Sequence, residues 1–117
     1  MVILFAVLTS IIDNREQSSL INEINRVLKH DGIIYINDFL LNTDTRNRDR
    51  YKTFKDKYGT YGVFELPEGA ILRHHDPLHI QNLVKLFHTI KFDRITFKTM
   101  NGHLSNGFIF MGRKCGT

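Results

Sequence analysis

The sequence predicts a protein of the α/β class with parallel strands in its sheet, and three features of its first 41 residues carry that prediction. Val2 to Leu8 (VILFAVL) is an unbroken apolar run, Asp13 to Gly32 has the marks of a capped amphipathic helix, and Ile33 to Phe39 (IIYINDF) is again rich in β-branched and aromatic side chains. Strand, helix, strand in that length is a βαβ crossover, which requires two parallel strands in one sheet.

Each element has its own reason. A strand with no polar member, such as Val2 to Leu8, is expected to be covered on both faces and to lie centrally in a sheet. Asp13 offers a carboxylate to the free amides of a helix start, and Glu16, three positions on, gives a capping-box-like pattern. Leu20, Ile21, Ile24, Val27 and Leu28 fall on one helical face. Lys29 and His30 suit the negative end of the helix dipole, and Gly32 is expected to take the left-handed conformation that stops it.

Residues 42–50 (NTDTRNRDR) read as a polar loop entering a helix near Asn47, whose Tyr51, Phe54 and Tyr58 share a face and which Gly59 ends. Val63 to Leu66 and Ala70 to Arg73 flank Pro67-Glu68-Gly69 as a short hairpin. Asp76-Pro77 is a cap followed by a first-turn proline, opening a helix with Ile80, Leu83, Val84 and Phe87 as its buried stripe. Phe92, Ile95 and Phe97, then Gly107 to Met111, predict two strands joined through Asn101-Gly102, an antiparallel pair.

Composition bounds the function. The 117 residues suffice for one compact domain, and 42% hydrophobic content argues against general disorder. A net charge of +4 favours anionic partners. The acids Asp44, Asp49 and Asp56 dilute the one basic and aromatic stretch, and no RNA- or DNA-binding motif is present, so nucleic acid is not the expected partner. Residues 2–12 lack a basic flank and are too short to span a bilayer, so no membrane association is expected. The single cysteine, Cys115, forms no internal disulfide framework, and a reducing, cytoplasmic setting is the default.

Ligands of open α/β sheets bind outside the carboxyl ends of the strands, which places Asp38 and the residues around Leu8 on one rim. Asp38 either meets a ligand there, or only caps the next turn or meets a nearby Arg. His74, His75 and His79 raise the thought of zinc or nickel, but no nearby Cys or Glu completes a recognised spacing.

The order of elements, with the phrases VILFAVLTSI, INEINRVLKHDGIIYINDF and FDRITFKTMNGHLSNGFIFMGRK, resembles the second half of a class I S-adenosylmethionine-dependent methyltransferase of the small-molecule or type 11/12-like kind. The sharpest local signal is E-x-x-R-V-L-K-x-x-G at Glu23 to Gly32. The resemblance implies a partial doubly wound (Rossmann-like) sheet in a single partial domain over residues 1–117. Its last two strands would form the antiparallel pair, the final one inserted beside Ile33 to Phe39, and an insertion over about residues 42–75 would cover the substrate.

It further implies S-adenosylmethionine as cofactor, with Phe5, Ala6 and Leu8 in the pocket wall and Asp38, Tyr58 and Phe64 near a small-molecule acceptor. His74 or His75 would serve as a base, or the pair satisfies hydrogen bonds beside the helix cap. The glycine-rich loop and ribose-binding acid of the family have no match in these residues. The expectation is therefore a trailing half that transfers a methyl group only when a leading half is supplied, or else a noncatalytic interaction subunit or inactive remnant. Either way the 2–8 strand is expected to pair with a second copy or with the complementing half.

Overall fold

A computed structural model describes residues 1–99 and 102–116. Strand β1 (Val2–Phe5) leads through a 3₁₀ turn at Leu8–Ser10 into helix α1 (Asn14–Val27), followed by β2 (Ile33–Phe39) and α2 (Thr45–Tyr58). The hairpin β3 (Val63–Glu65) and β4 (Ile71–Arg73), helix α3 (Pro77–Leu83) and the long strands β5 (Phe87–Lys98) and β6 (Leu104–Lys114) complete it.

The main sheet has the order β1-β2-β6-β5. β1 runs parallel to β2, with Val2 opposite Ile34 and Phe5 opposite Asn37, so α1 is the crossover of a βαβ unit. β6 is antiparallel to both β2 and β5 and lies between them. This is the mixed α/β sheet expected, with the last strand inserted beside the second.

One register row crosses the whole sheet: Leu4 pairs with Ile36, Ile36 with Phe110 and Phe110 with Phe92. Ile36 and Phe110 are completely buried, and Ile21 and Ile24 of α1 with Ile80 and Leu83 of α3 close the core over that face. Burying a side chain of this size contributes about 2 kcal/mol, which explains why the apolar stripes of α1 and α3 point here.

The opposite face of β1 is open. Ile3 is 62% and Phe5 68% exposed, and β1 sits at the sheet edge, where a run covered on both faces was expected. Alternation, buried Leu4 between exposed Ile3 and Phe5, is the pattern of a half-covered strand. The strand ends at Phe5 because Ala6 turns into the left-handed region with φ of 55°.

Other expectations are corrected in detail. α1 stops at Val27, and Asp31, with φ of 60°, takes the left-handed position expected of Gly32. Gly32 is needed for close approach instead, since a Cβ there would lie 2.8 Å from the Lys29 carbonyl oxygen. Val27 is exposed, outside the stripe assigned to it. α3 ends at Leu83, so Val84 caps it and Phe87 opens β5. The helix caps at Asp13, Asp44 and Asp76 accept backbone amides as their residue types dictate, and Gly59 ends α2 with φ of 72°. Of the expected β5–β6 turn, Asn101 lies outside the described residues, while Gly102 has φ of 81°.

Candidate active site

A cavity of about 520 Å³ opens at the carboxyl ends of β1 and β2, within the size range of small-molecule sites. Three parts of the chain build it. Phe5, Ala6 and Thr9 come from the end of β1 and the turn beyond, with Asn37 and Phe39 from β2. Asn42, Arg46, Asn47, Arg50, Phe64 and His74 come from the segment between β2 and α3. Phe97, Lys98 and Ser105 come from the β5–β6 end.

Ala6 carries strain where it matters. A non-glycine residue at positive φ costs on the order of 1 kcal/mol, and such positions cluster at functional sites. The Ala6 amide is held by donation to the Asn37 carbonyl oxygen at 2.8 Å, which fixes this corner against β2. Thr9, just beyond, donates its amide to Asp38 Oδ2 (3.1 Å) and its hydroxyl to the Arg73 carbonyl oxygen (2.8 Å).

His74 stands in an aromatic box. Its ring lies 4.8 Å from that of Phe64, 5.6 Å from Phe39 and 5.7 Å from Tyr51, centroid to centroid. The Asn42 amide donates to the Tyr51 hydroxyl at 3.1 Å, so that hydroxyl donates onward to His74 Nδ1 at 2.5 Å. The Asn42 side-chain amide also points at Nδ1, 3.4 Å away. With donors converging on Nδ1, the proton of the neutral ring sits on Nε2. Burial and the nearby Arg50 charge push the His74 pKa down to about 3, so the ring stays neutral near pH 7. It therefore offers the cavity a hydrogen-bond donor, with its basic lone pair already engaged.

His75 faces elsewhere. It is fully buried, its Nδ1 donates to the Phe39 carbonyl oxygen (2.9 Å) and its Nε2 accepts from the Gln17 amide (2.9 Å). Gln17 Oε1 in turn accepts from His79 Nε2 at 2.7 Å, and its amide reaches the Leu8 and Ile11 carbonyl oxygens. This network ties α1, α3 and the β1 turn together. Burial holds the His75 pKa down to about 4.

Of the residues expected from sequence, Phe5, Ala6, Phe64 and His74 meet in the cavity wall. Leu8 is buried in the core beneath it. Asp38 is buried too, accepting the Thr9 and Phe39 amides, with its carboxyl pushed up to about 6 by desolvation. It holds the turn that follows β1, far back in sequence, and does not line the cavity. Tyr58 points away and donates to Glu65 Oε2 at 2.7 Å, alongside Lys57. Of the two histidines expected as a base, His74 lines the cavity with the Tyr51 hydroxyl on Nδ1, and His75 is fully buried with the Gln17 amide, shared with the Leu8 and Ile11 carbonyl oxygens, beside Nε2. Among the described residues no group of three His, Cys, Asp or Glu side chains is arranged to hold a metal.

Sequence reasoning missed Arg46, Asn47 and Arg50, reading their segment as a loop. Their spacing was the available signal: Arg46 with Arg50 (i, i+4) and Asn47 with Arg50 (i, i+3) are helix-surface neighbours once Asp44 is taken as the cap. Phe39 and Phe97, whose rings lie 5.3 Å apart, were also missed as walls.

An open α/β sheet with a cavity at the carboxyl ends of its parallel strands is the arrangement in which domains of the α/β class bind their ligands. No protein-family model and no curated protein matches the chain. Among solved structures, it is similar to a crystal structure of a SAM-dependent methyltransferase from Methanosarcina mazei, with 27% identity and a TM-score of 0.90 over 98% of this chain. The chain spans 58% of the length of that structure. The fold is thus that of a methyltransferase, in the part of it represented here. None of the described helices is long and apolar enough to cross a membrane.

Proposed function

We propose that this chain is the trailing, acceptor-facing part of an S-adenosylmethionine-dependent methyltransferase acting on a small molecule. The observation that carries the reading is the strained Ala6 corner opening into a cavity at the carboxyl ends of two parallel strands. The likeness to the Methanosarcina methyltransferase supports it.

S-adenosylmethionine, when bound, supplies a methyl group on a sulfonium, open to in-line displacement. The cavity fits one side of such a molecule: Phe5 and Ala6 give an apolar wall for it. No carboxylate lines the cavity among the described residues, so the ribose hydroxyls would find their partners on a further layer. The family's glycine-rich loop and acidic residue would belong to that layer.

The chain's own residues position the acceptor. Methyl transfer rests largely on alignment, with a base needed only where the acceptor keeps its proton. Phe39, Phe64 and Phe97 exclude water, and His74 Nε2 donates to an acceptor oxygen or nitrogen. His75, through Phe39 and Gln17, keeps the floor of the site in place. An acceptor that arrives deprotonated or loses its proton to solvent suits this arrangement.

The outer edge of β1, with Ile3 and Phe5 exposed, would receive the missing layer by strand pairing. The same edge favours a second reading, a noncatalytic subunit that docks on a partner and holds no cofactor. The single, free Cys115 fits a reducing, cytoplasmic location for either.

Calorimetric titration with S-adenosylhomocysteine separates the two. It is run on this chain and on the chain fused to the part of the Methanosarcina protein that has no counterpart here. Binding to the fusion at least about 100-fold tighter than to the chain supports the enzyme, a coupling of about 3 kcal/mol. No binding by a folded fusion supports the noncatalytic subunit.

A further inference from the structure

The charge around the cavity is one-sided. Arg46 and Arg50 of α2 and Lys98 of β5 line it, and no Asp or Glu does among the described residues. The carboxylate whose charge reaches Arg50 and His74 is that of Asp44, and both of its oxygens are taken by Asn47, the backbone amide on one and the side-chain amide on the other. Neither arginine forms an ion pair among the described residues.

Two buried polar atoms at the same wall lack partners. One is Nε of Arg50, whose guanidinium carbon lies over the Phe64 ring, 3.8 Å from its centroid. The other is Oδ1 of Asn47, a residue 2% exposed. The Asn47 amide nitrogen is committed to Asp44, so its oxygen is fixed as the free acceptor. Leaving a buried polar group unpaired is costly, and both atoms, although their residues line the cavity, are themselves closed off from it.

We propose that the methyl acceptor is an amphiphilic anion: an aromatic or similarly apolar body bearing a carboxylate or phosphate for Arg46 and Arg50. This rests on the methyltransferase reading for the word acceptor, while the anion site itself stands on the cavity alone. A guanidinium stacked on an aromatic ring is held in orientation and presents its edge to a planar anion, which a lysine could not do. The apolar walls lower the local dielectric and strengthen that attraction. Phe39, Phe64, Phe97 and Leu104 supply contact for the body of the ligand.

The test uses a matched pair of probes, 3-hydroxy-2-naphthoate and its neutral counterpart 3-hydroxy-2-naphthamide, titrated calorimetrically into the full chain. The carboxylate is expected to bind at least about tenfold tighter, with the preference shrinking as salt rises from about 50 mM to about 300 mM. In the Arg46→Gln, Arg50→Gln double variant the preference falls to within about threefold, while amide binding persists and reports an intact cavity. Should the double variant lose amide binding as well, Arg46→Gln alone, on an exposed side chain, must still reduce the preference at least about twofold.

Equal affinities in the unaltered chain overturn the proposal, as does a preference that survives Arg46→Gln and the double variant. Titration with S-adenosylhomocysteine is read separately. Naphthoate selectivity without binding of that nucleoside by the completed protein would remove the methyltransferase reading and leave the anion site standing.

Discussion

The Tyr51 hydroxyl donates to Nδ1 of His74 across 2.5 Å, and that one bond decides which face of the imidazole the cavity sees. Tyr51 comes from α2 and His74 directly follows β4, the second strand of the hairpin, so the bond also ties these two parts of the cover together. Replacing Tyr51 with Phe removes the donor and leaves Nδ1 only the Asn42 amide at 3.4 Å. The variant should lose about 1 to 2 kcal/mol in urea unfolding. Its His74 should also populate the other tautomer, visible in imidazole nitrogen chemical shifts. An unchanged tautomer would show that Tyr51 does not set the ring.

Buried His74, His75 and Asp38 together set the acid response. His74 and His75, at about 3 and about 4, lie below the usual 6.5, so below pH 6 the unfolded chain binds two protons that the native one refuses. Asp38, raised from 3.8 to about 6, works oppositely, since the native state binds its proton first. For these three groups the net is one more proton on the unfolded state, a contribution that raises stability with pH by about 1 kcal/mol per unit between pH 4 and 6, and His79, also lowered by burial, acts in the same direction. Asp38→Asn removes the opposing group, and the slope should rise to about 3 kcal/mol per unit. Urea midpoints at three pH values check this, and a slope that falls in the variant would refute it.

Gly107 is the position where the sheet and the cavity wall meet. A Cβ there would lie 2.0 Å from the Phe97 ring and 2.8 Å from the Asp38 carbonyl oxygen. Gly107→Ala should therefore cost about 2 kcal/mol and drive Phe97 away from Phe39, changing the cavity as well as the fold. Thermal unfolding reads the first effect and naphthoate affinity the second. A fully stable variant with unaltered binding would mean the ring moves aside freely.

The edge of β1 predicts association. Pairing through it should give wild-type protein a mass above the 13.7 kDa monomer in light scattering, and Ile3→Lys with Phe5→Lys should return the monomer without loss of stability. A monodisperse wild-type monomer at working concentration argues against edge pairing between copies and leaves the complementing layer as its occupant.

The fold was largely legible because its signals are local. Asp13, Asp76-Pro77 and the apolar runs each announce an element by their own chemistry, and Ile33 to Phe39 needs no distant partner to read as a strand. The site was less so. Arg46 and Arg50 join Phe5 and Phe97 only through tertiary placement, and the roles of Asp38 and His75 depend on burial by elements far away in sequence. Resemblance named Phe5, Ala6, Phe64 and His74, which line the cavity, yet it could not say that the Tyr51 hydroxyl would engage His74 Nδ1. Ile3 and Phe5 show the limit of composition: a wholly apolar run reads as central whether or not anything covers its second face.

The central claim is that the Ala6 corner is where cofactor and acceptor meet, and amide chemical-shift mapping tests it most directly. S-adenosylhomocysteine is titrated into the isotopically labelled chain within the fusion that completes the sheet. The account predicts the largest shifts at Phe5, Ala6 and Asn37, with Ser18 and Gln81 on the far helices unmoved. Shifts confined to residues away from β1 and β2, or none at all in a folded fusion, would contradict it.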